Sequence, residues 1–121
     1  MINMNRAKTI FLDIDGTLVE HSGSIVEQYS GSLNILDGTL DKLSEWDRKG
    51  YNIILTTGRR EGMRDVTEQQ LKDVGIFFDR LIMGIGGGPR VVINDRKLNK
   101  LDDTAFAVNL TRNEGISKIE I

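Results

Sequence analysis

The stretch Thr9-Ile10-Phe11-Leu12-Asp13-Ile14-Asp15-Gly16-Thr17 constrains this chain more than any other. Its leading residues are apolar and β-rich, as a buried strand requires. Two carboxylates then arrive one residue apart, where a strand should be leaving the core. Side chains alternate along a strand, so residues two apart point the same way, and Gly16 lets the backbone turn sharply beside a ligand. A lone Asp-Gly reads as an Asx turn that ends a strand. The full D-x-D-G-T string asks instead for chemical partners elsewhere in the chain.

The rest of the chain alternates strand-like and helix-like segments. Leu36, Leu40, Leu43 and Trp46 fall at helical spacing, with Asp37 as the expected N-cap, Gly50 as the stop and Trp46 in the core. Residues 51–57, YNIILTT, read as a second buried strand. Residues 61–74 place Met63, Val66, Gln70, Leu71 and Val74 on one helical face, ended by Gly75. Residues 78–83, 90–94 and 105–110 are further strand candidates, and 117–121 is a short last one. Strands separated by helices predict a mostly parallel α/β sheet. Two stretches break the rhythm. Residues 19–35 are polar and predict a small hairpin or flap, too short for a cap domain. GIGGGPR at 84–90 leaves about seven residues between two strand candidates, where a helical crossover takes a dozen or more.

At 121 residues the chain is sized for one domain, spanning 1–121. Its net charge of -2 offers no general attraction to nucleic acid or anionic membrane. It has no cysteine, which removes disulfides, thiolate catalysis and cysteine metal sites, and its one histidine cannot build a histidine-rich zinc site. The opening residues carry no long apolar stretch, so a soluble cytoplasmic protein is expected.

In a parallel α/β sheet ligands bind at the carboxyl ends of strands. Three such ends carry chemistry here: Asp13 and Asp15, then Thr57 with Gly58, Arg59 and Arg60, then Asn94 and Asp95 after VVI. Thr57 and the backbone N–H groups beside Gly58 suit phosphate oxygens. An all-oxygen donor set suits Mg²⁺, which keeps several waters and binds through one or two carboxylates plus a substrate phosphate. One aspartate can then attack phosphorus while the other protonates the leaving alcohol and activates water.

FLDIDGTL, IILTTGR and VVINDRK, in that order, resemble the sequence motifs of the haloacid dehalogenase superfamily of aspartate-nucleophile phosphatases. The resemblance spans residues 8 to about 110. It implies a HAD-like, Rossmann-like parallel sheet flanked by helices, with strand one central, no cap domain and a short flap after strand one. By the same resemblance Asp13 is the nucleophile and a metal ligand, and Asp15 is the acid/base and lends its main-chain carbonyl to Mg²⁺. Thr57 and Gly58 bind the phosphoryl group, Asp95 completes the metal site, and Arg59 and Arg64 lie near it. The chain is also similar to small stand-alone phosphatases acting on sugar or nucleotide phosphates.

Two positions depart from the family pattern. No lysine precedes the last acidic pair within 84–89, so Arg90 is expected to supply that charge, with Lys97 and Lys72 as alternatives. Asn94 stands where many relatives have an aspartate. The expected function is a Mg²⁺-dependent phosphomonoesterase acting on a small phosphorylated substrate, a sugar or nucleotide phosphate, through an aspartyl-phosphate. The alternatives are a weak or inactive phosphate-binding regulatory module, a receiver-type signalling domain, and a polynucleotide-end phosphatase, since an open site admits macromolecules. His21 is expected to be a solvated loop residue. No membrane partner is expected; a homo-oligomer that closes the site follows from the family analogy.

Overall fold

Strand β1 (Thr9–Asp13) forms on the apolar run, and its pleat buries Ile10 and Leu12 while Thr9, Phe11 and Asp13 stay exposed. In the computed structural model, which describes residues 6–21, 23–98 and 102–121, β1 pairs in parallel with β2 (Asn52–Thr56), and β2 with β3 (Arg80–Ile82). The register sets Leu12 against Leu55, Leu55 against Leu81 and Asp13 against Thr56, so the ends of the first two strands are level. Helix α2 (Thr39–Arg48) joins β1 to β2, and a 3-10 turn (Glu61–Met63) running into helix α3 (Arg64–Asp73) joins β2 to β3. The architecture is α/β, a small parallel sheet with helices. Among the described residues no helix is long and apolar enough to cross a membrane.

The core gathers Ile10, Leu12, Ile14, Leu43, Trp46, Leu55 and Leu71, with Ile116 from the last segment. Trp46 is fully buried, as its spacing predicts. The N-cap of helix α2 falls one residue later than the expected Asp37, at Gly38 with φ +84°. A tertiary contact moves the start: the Asp37 carbonyl accepts the Ile116 N–H at 3.0 Å, so this residue serves the C-terminal segment. The helix consequently buries Thr39, whose hydroxyl donates to the Leu18 carbonyl at 2.7 Å, while Leu40 is partly exposed.

Residues 19–35 are partly hairpin and partly helix. Val19 bridges Ile35 in antiparallel fashion, and the Glu20 N–H donates to the Asn34 carbonyl at 2.8 Å. Between them lies the short helix α1 (Ile25–Ser30), where β-rich side chains predict extended chain. Ser24 and Glu27 decide this locally: the serine hydroxyl oxygen accepts the Glu27 N–H at 3.1 Å, one half of a capping box.

Strands do not form at 90–94, 105–110 or 117–121, and among the described residues β1 is an edge strand, not a central one. The short 84–90 connection explains the first of these. It cannot carry the chain back across the sheet as a parallel neighbour must be carried, and Val91, Val92 and Ile93 remain exposed. At the C-terminus, left-handed backbone at Asn113 (φ 67°) and Gly115 (φ 93°) breaks the alternation and turns Ile116 into the core. Residues 1–5, where no leader is expected, residue 22 of the flap, and 99–101 within the span of the family resemblance lie outside the described residues.

Gly115 sits so close to Asp37 that an added Cβ would lie 2.5 Å from the Asp37 carbonyl oxygen and 2.9 Å from its nitrogen, both backbone atoms. Gly50 has a comparable φ of 77° but open space around it. Gly115→Ala should therefore cost about 1–3 kcal/mol more than Gly50→Ala, and tryptic cleavage at Arg112 and Lys118 should accelerate in the first variant alone. Equal destabilisation by both substitutions would show that the close approach is immaterial.

Candidate functional site

Asp13 and Asp15 stand where β1 ends and the chain turns. The Ile14 carbonyl accepts N–H groups from Thr17, Leu18 and Val19, and Gly16 (φ 91°) donates to the Val19 carbonyl at 2.7 Å, which coils residues 14–19 tightly. The C-terminal segment closes over this turn. Asn113 donates its N–H to the Gly16 carbonyl at 2.8 Å and accepts the His21 N–H on its Oδ1 at 2.8 Å. Arg112 covers Gly16, where a Cβ would lie 3.2 Å from the arginine Cγ.

The two carboxylates meet different surroundings. Asp15 is clamped by Arg59, whose Nε donates to Oδ2 and Nη2 to Oδ1, both at 2.8 Å. The Arg59 side chain is 2% exposed and that of Asp15 12%, so this fork is largely withdrawn from water. The remaining guanidinium nitrogen, Nη1, donates to Thr67 Oγ1 at 3.1 Å and to Gln70 Oε1 at 2.8 Å. Gln70 in turn donates its amide to the carbonyls of Gln28 and Gly31, both at 2.7 Å. A continuous polar chain thus runs from the flap through α3 to Asp15. Asp13 takes part in no ion pair among the described residues and lies on the exposed face of β1. Partial burial nonetheless pushes its carboxyl above the ordinary range. The Asp15 charge adds to this, while the Ile14 N–H, Arg90 and His21 oppose it.

The TTGR turn lies beside Asp13. Thr57 is buried; its Oγ1 accepts the Arg59 N–H at 3.0 Å, and its backbone is held by Ile82 and Ile85. Gly58 passes so near the Gly86 carbonyl that a Cβ would meet it at 2.9 Å, and the Gly84 N–H donates to the Arg59 carbonyl at 2.7 Å. The glycine-rich loop therefore rests on the turn. Arg59, expected near the phosphate, instead spends its nitrogens on Asp15, Thr67 and Gln70. Arg64 is likewise engaged in protein contacts. Glu61, then Glu68, hold its guanidinium above the usual range, it lowers the Glu61 carboxyl, and it donates to the Leu81 carbonyl at 3.0 Å.

Of the three candidate cations, Arg90 is the one whose charge acts on Asp13. Lys97 lies 3.6 Å from Asp95, and Lys72 is in the last turn of α3. Asp95 and Asn94 are exposed on the segment that forms no strand. Among the described residues no three His, Asp or Glu side chains gather as a metal site, and the Asp95 carboxylate is not brought together with those of Asp13 and Asp15. Asp13, exposed and outside any ion pair among the described residues, is the carboxylate left free to hold a magnesium ion, and the Asp15 carbonyl would be the second protein oxygen. The Asp15 carboxylate, with both oxygens on Arg59, is less free to serve.

His21 is half-buried and lines a cleft of about 240 Å³ with Asp15, Arg59, Glu20, Glu27 and Asn34. Sequence reasoning placed it in solvent. Gln70 carried an overlooked signal: an amide in register with Leu71 on a buried helix face must find partners. Gln70→Ala should leave Arg59 Nη1 with one acceptor fewer and release α1, seen as faster amide hydrogen exchange over 25–33 with little change in the β2 amides. Unchanged exchange in α1 would mean that the flap is held by other contacts.

Taken together, fold and site define an α/β protein with an acidic pair at the carboxyl end of a parallel strand and a Thr-Gly-Arg turn beside it. No family model, curated protein or solved structure matches the chain at a significant level.

Proposed function

We propose that this chain is a phosphomonoester hydrolase of the haloacid dehalogenase type that uses Asp13 as nucleophile and Asp15 as acid/base. The observation that carries the reading is the unequal treatment of two carboxylates on one turn: Arg59 locks Asp15 in plane, and Asp13 is left free of ion pairs among the described residues. A nucleophile needs an open approach and an acid/base needs a fixed orientation.

In this mechanism an Asp13 oxygen attacks phosphorus, the bond to the leaving oxygen breaks, and Asp15 delivers a proton to that oxygen. Water then attacks the aspartyl-phosphate, Asp15 takes its proton, and phosphate departs with Asp13 restored. Each Asp15 oxygen keeps a lone pair beyond the one facing Arg59, so the clamp leaves room for proton transfer. Arg90, at the Asp13 side, opposes the charge of the incoming phosphoryl oxygens. Bound Mg²⁺ would neutralise phosphoryl charge, held by Asp13 and the Asp15 carbonyl.

The test is phosphate release from p-nitrophenyl phosphate by purified protein with and without Mg²⁺. Magnesium-dependent release supports the reading. A second reading, a phosphate-binding module without turnover, is favoured by the separate position of Asp95. Retained phosphate binding with no release of any ester would select it.

A further inference from the structure

Between the flap and the acid/base lies the cleft of about 240 Å³, lined by Asp15 and Arg59 together with flap residues that include Glu20, His21, Glu27 and Asn34. Its position matters because Asp15, which on the reading above protonates the leaving oxygen, forms part of its wall, whereas Asp13 does not. The departing alcohol would therefore occupy it. The wall is built rather than incidental: Gln70, 7% exposed, ties the carbonyls of Gln28 and Gly31 to Arg59, so the gap is set by a buried side chain.

Charge and size then speak to what fits. Arg59 is matched by Asp15 within the wall, and no other lysine or arginine lines the cleft among the described residues. Glu20 and Glu27 are thus in excess, and they accept hydrogen bonds without donating any. Asn34 and His21 bring further polar atoms. No phenylalanine, tyrosine or tryptophan is present among the described lining residues to stack on a base. The volume is below the roughly 300–1,000 Å³ of pockets that enclose drug-sized ligands.

We propose that the cleft is a leaving-group site for an uncharged, hydroxyl-rich alcohol of about monosaccharide size, and that Glu20 and Glu27 exclude ligands bearing a second phosphate. This rests on the phosphatase reading and narrows it, away from polynucleotide ends and bisphosphates.

The chain has one histidine, so the His21 imidazole proton signal is an unambiguous reporter of the cleft wall whether or not turnover occurs. Fructose 6-phosphate, fructose 1,6-bisphosphate and a 3′-phosphorylated dinucleotide are titrated into the protein with Mg²⁺, following both that signal and phosphate release. The monophosphate should bind at least about tenfold more tightly than either competitor, and Glu27→Lys or Glu20→Lys should erase most of that preference. A preference for the bisphosphate or dinucleotide, a ratio unmoved by both charge reversals, or a His21 signal that never responds to the monophosphate overturns the proposal. If no ester is hydrolysed but the His21 signal discriminates as expected, the cleft assignment stands as a binding site and the phosphatase reading alone falls.

Discussion

Asp13→Asn is expected to reduce phosphate release by roughly a thousandfold or more, the scale on which removal of a covalent nucleophile acts, and yet to raise thermal stability. The stability gain follows from the carboxyl's surroundings. Partial burial pushes it upward, the neighbouring Asp15 adds to that, and the Ile14 N–H, Arg90 and His21 recover only part. An acid whose folded value lies above its unfolded value, about 3.9, binds its proton more tightly in the fold. The stability it contributes is fully present below the unfolded value and is lost as pH rises through the folded one. At pH 7 the wild type therefore carries an ionisation cost that asparagine lacks; below about pH 4 the difference should vanish. Thermal unfolding at pH 7 and pH 3.5, with a chelator so that no divalent ion masks the effect, reads this directly. A variant less stable than wild type at pH 7 would contradict the assignment of Asp13 as a partly desolvated carboxylate whose ionised form the fold disfavours.

The second large effect is expected at Arg59. Arg59→Ala leaves a nearly buried Asp15 without its fork and withdraws a donor from Thr67 and Gln70. Removing one partner of a buried pair costs about 3–5 kcal/mol, a sizeable share of the 5–15 kcal/mol that holds a typical domain together. For a chain of this size the melting temperature should fall by roughly 10–20 °C. Arg59→Lys should recover little, because an ammonium cannot reproduce a planar two-point contact. The double variant Arg59→Met with Asp15→Asn should regain much of the stability while remaining inactive, since it removes both charges together. A loss below about 1 kcal/mol in the single variant would place the pair in the class of surface ion pairs, against its burial.

Much of the candidate site is legible in the sequence because its parts are local. D-x-D-G-T and T-T-G-R each follow an apolar strand, and adjacent parallel strands bring their ends level without further instruction, as Asp13 opposite Thr56 shows. The helix carrying Trp46 was readable from its apolar spacing. Three readings failed where a local pattern competed with something else. The apolar run at 90–94 predicts a strand, but a strand exists only where another edge receives it, and the chain reaches no such edge across GIGGGP. The β-rich SIVEQYS was overruled by the Ser24–Glu27 cap. The family resemblance puts Arg59 close to the phosphate, and nothing local says that Asp15, Thr67 and Gln70 will surround its guanidinium.

By itself, then, the sequence determined which residue types stand at the ends of the first two strands, that those strands alternate with helices, and that cysteine chemistry is absent. These are properties of neighbours along the chain, governed by side-chain alternation and helical period. Only the tertiary structure decided that Arg59 serves Asp15, that Gln70 carries the flap, that Asn113 returns to the acidic turn and Ile116 to the core, and that His21 faces a cleft. Each of those depends on residues far apart in sequence meeting at hydrogen-bond distance, a geometry fixed by how the core packs and not by any spacing within a segment.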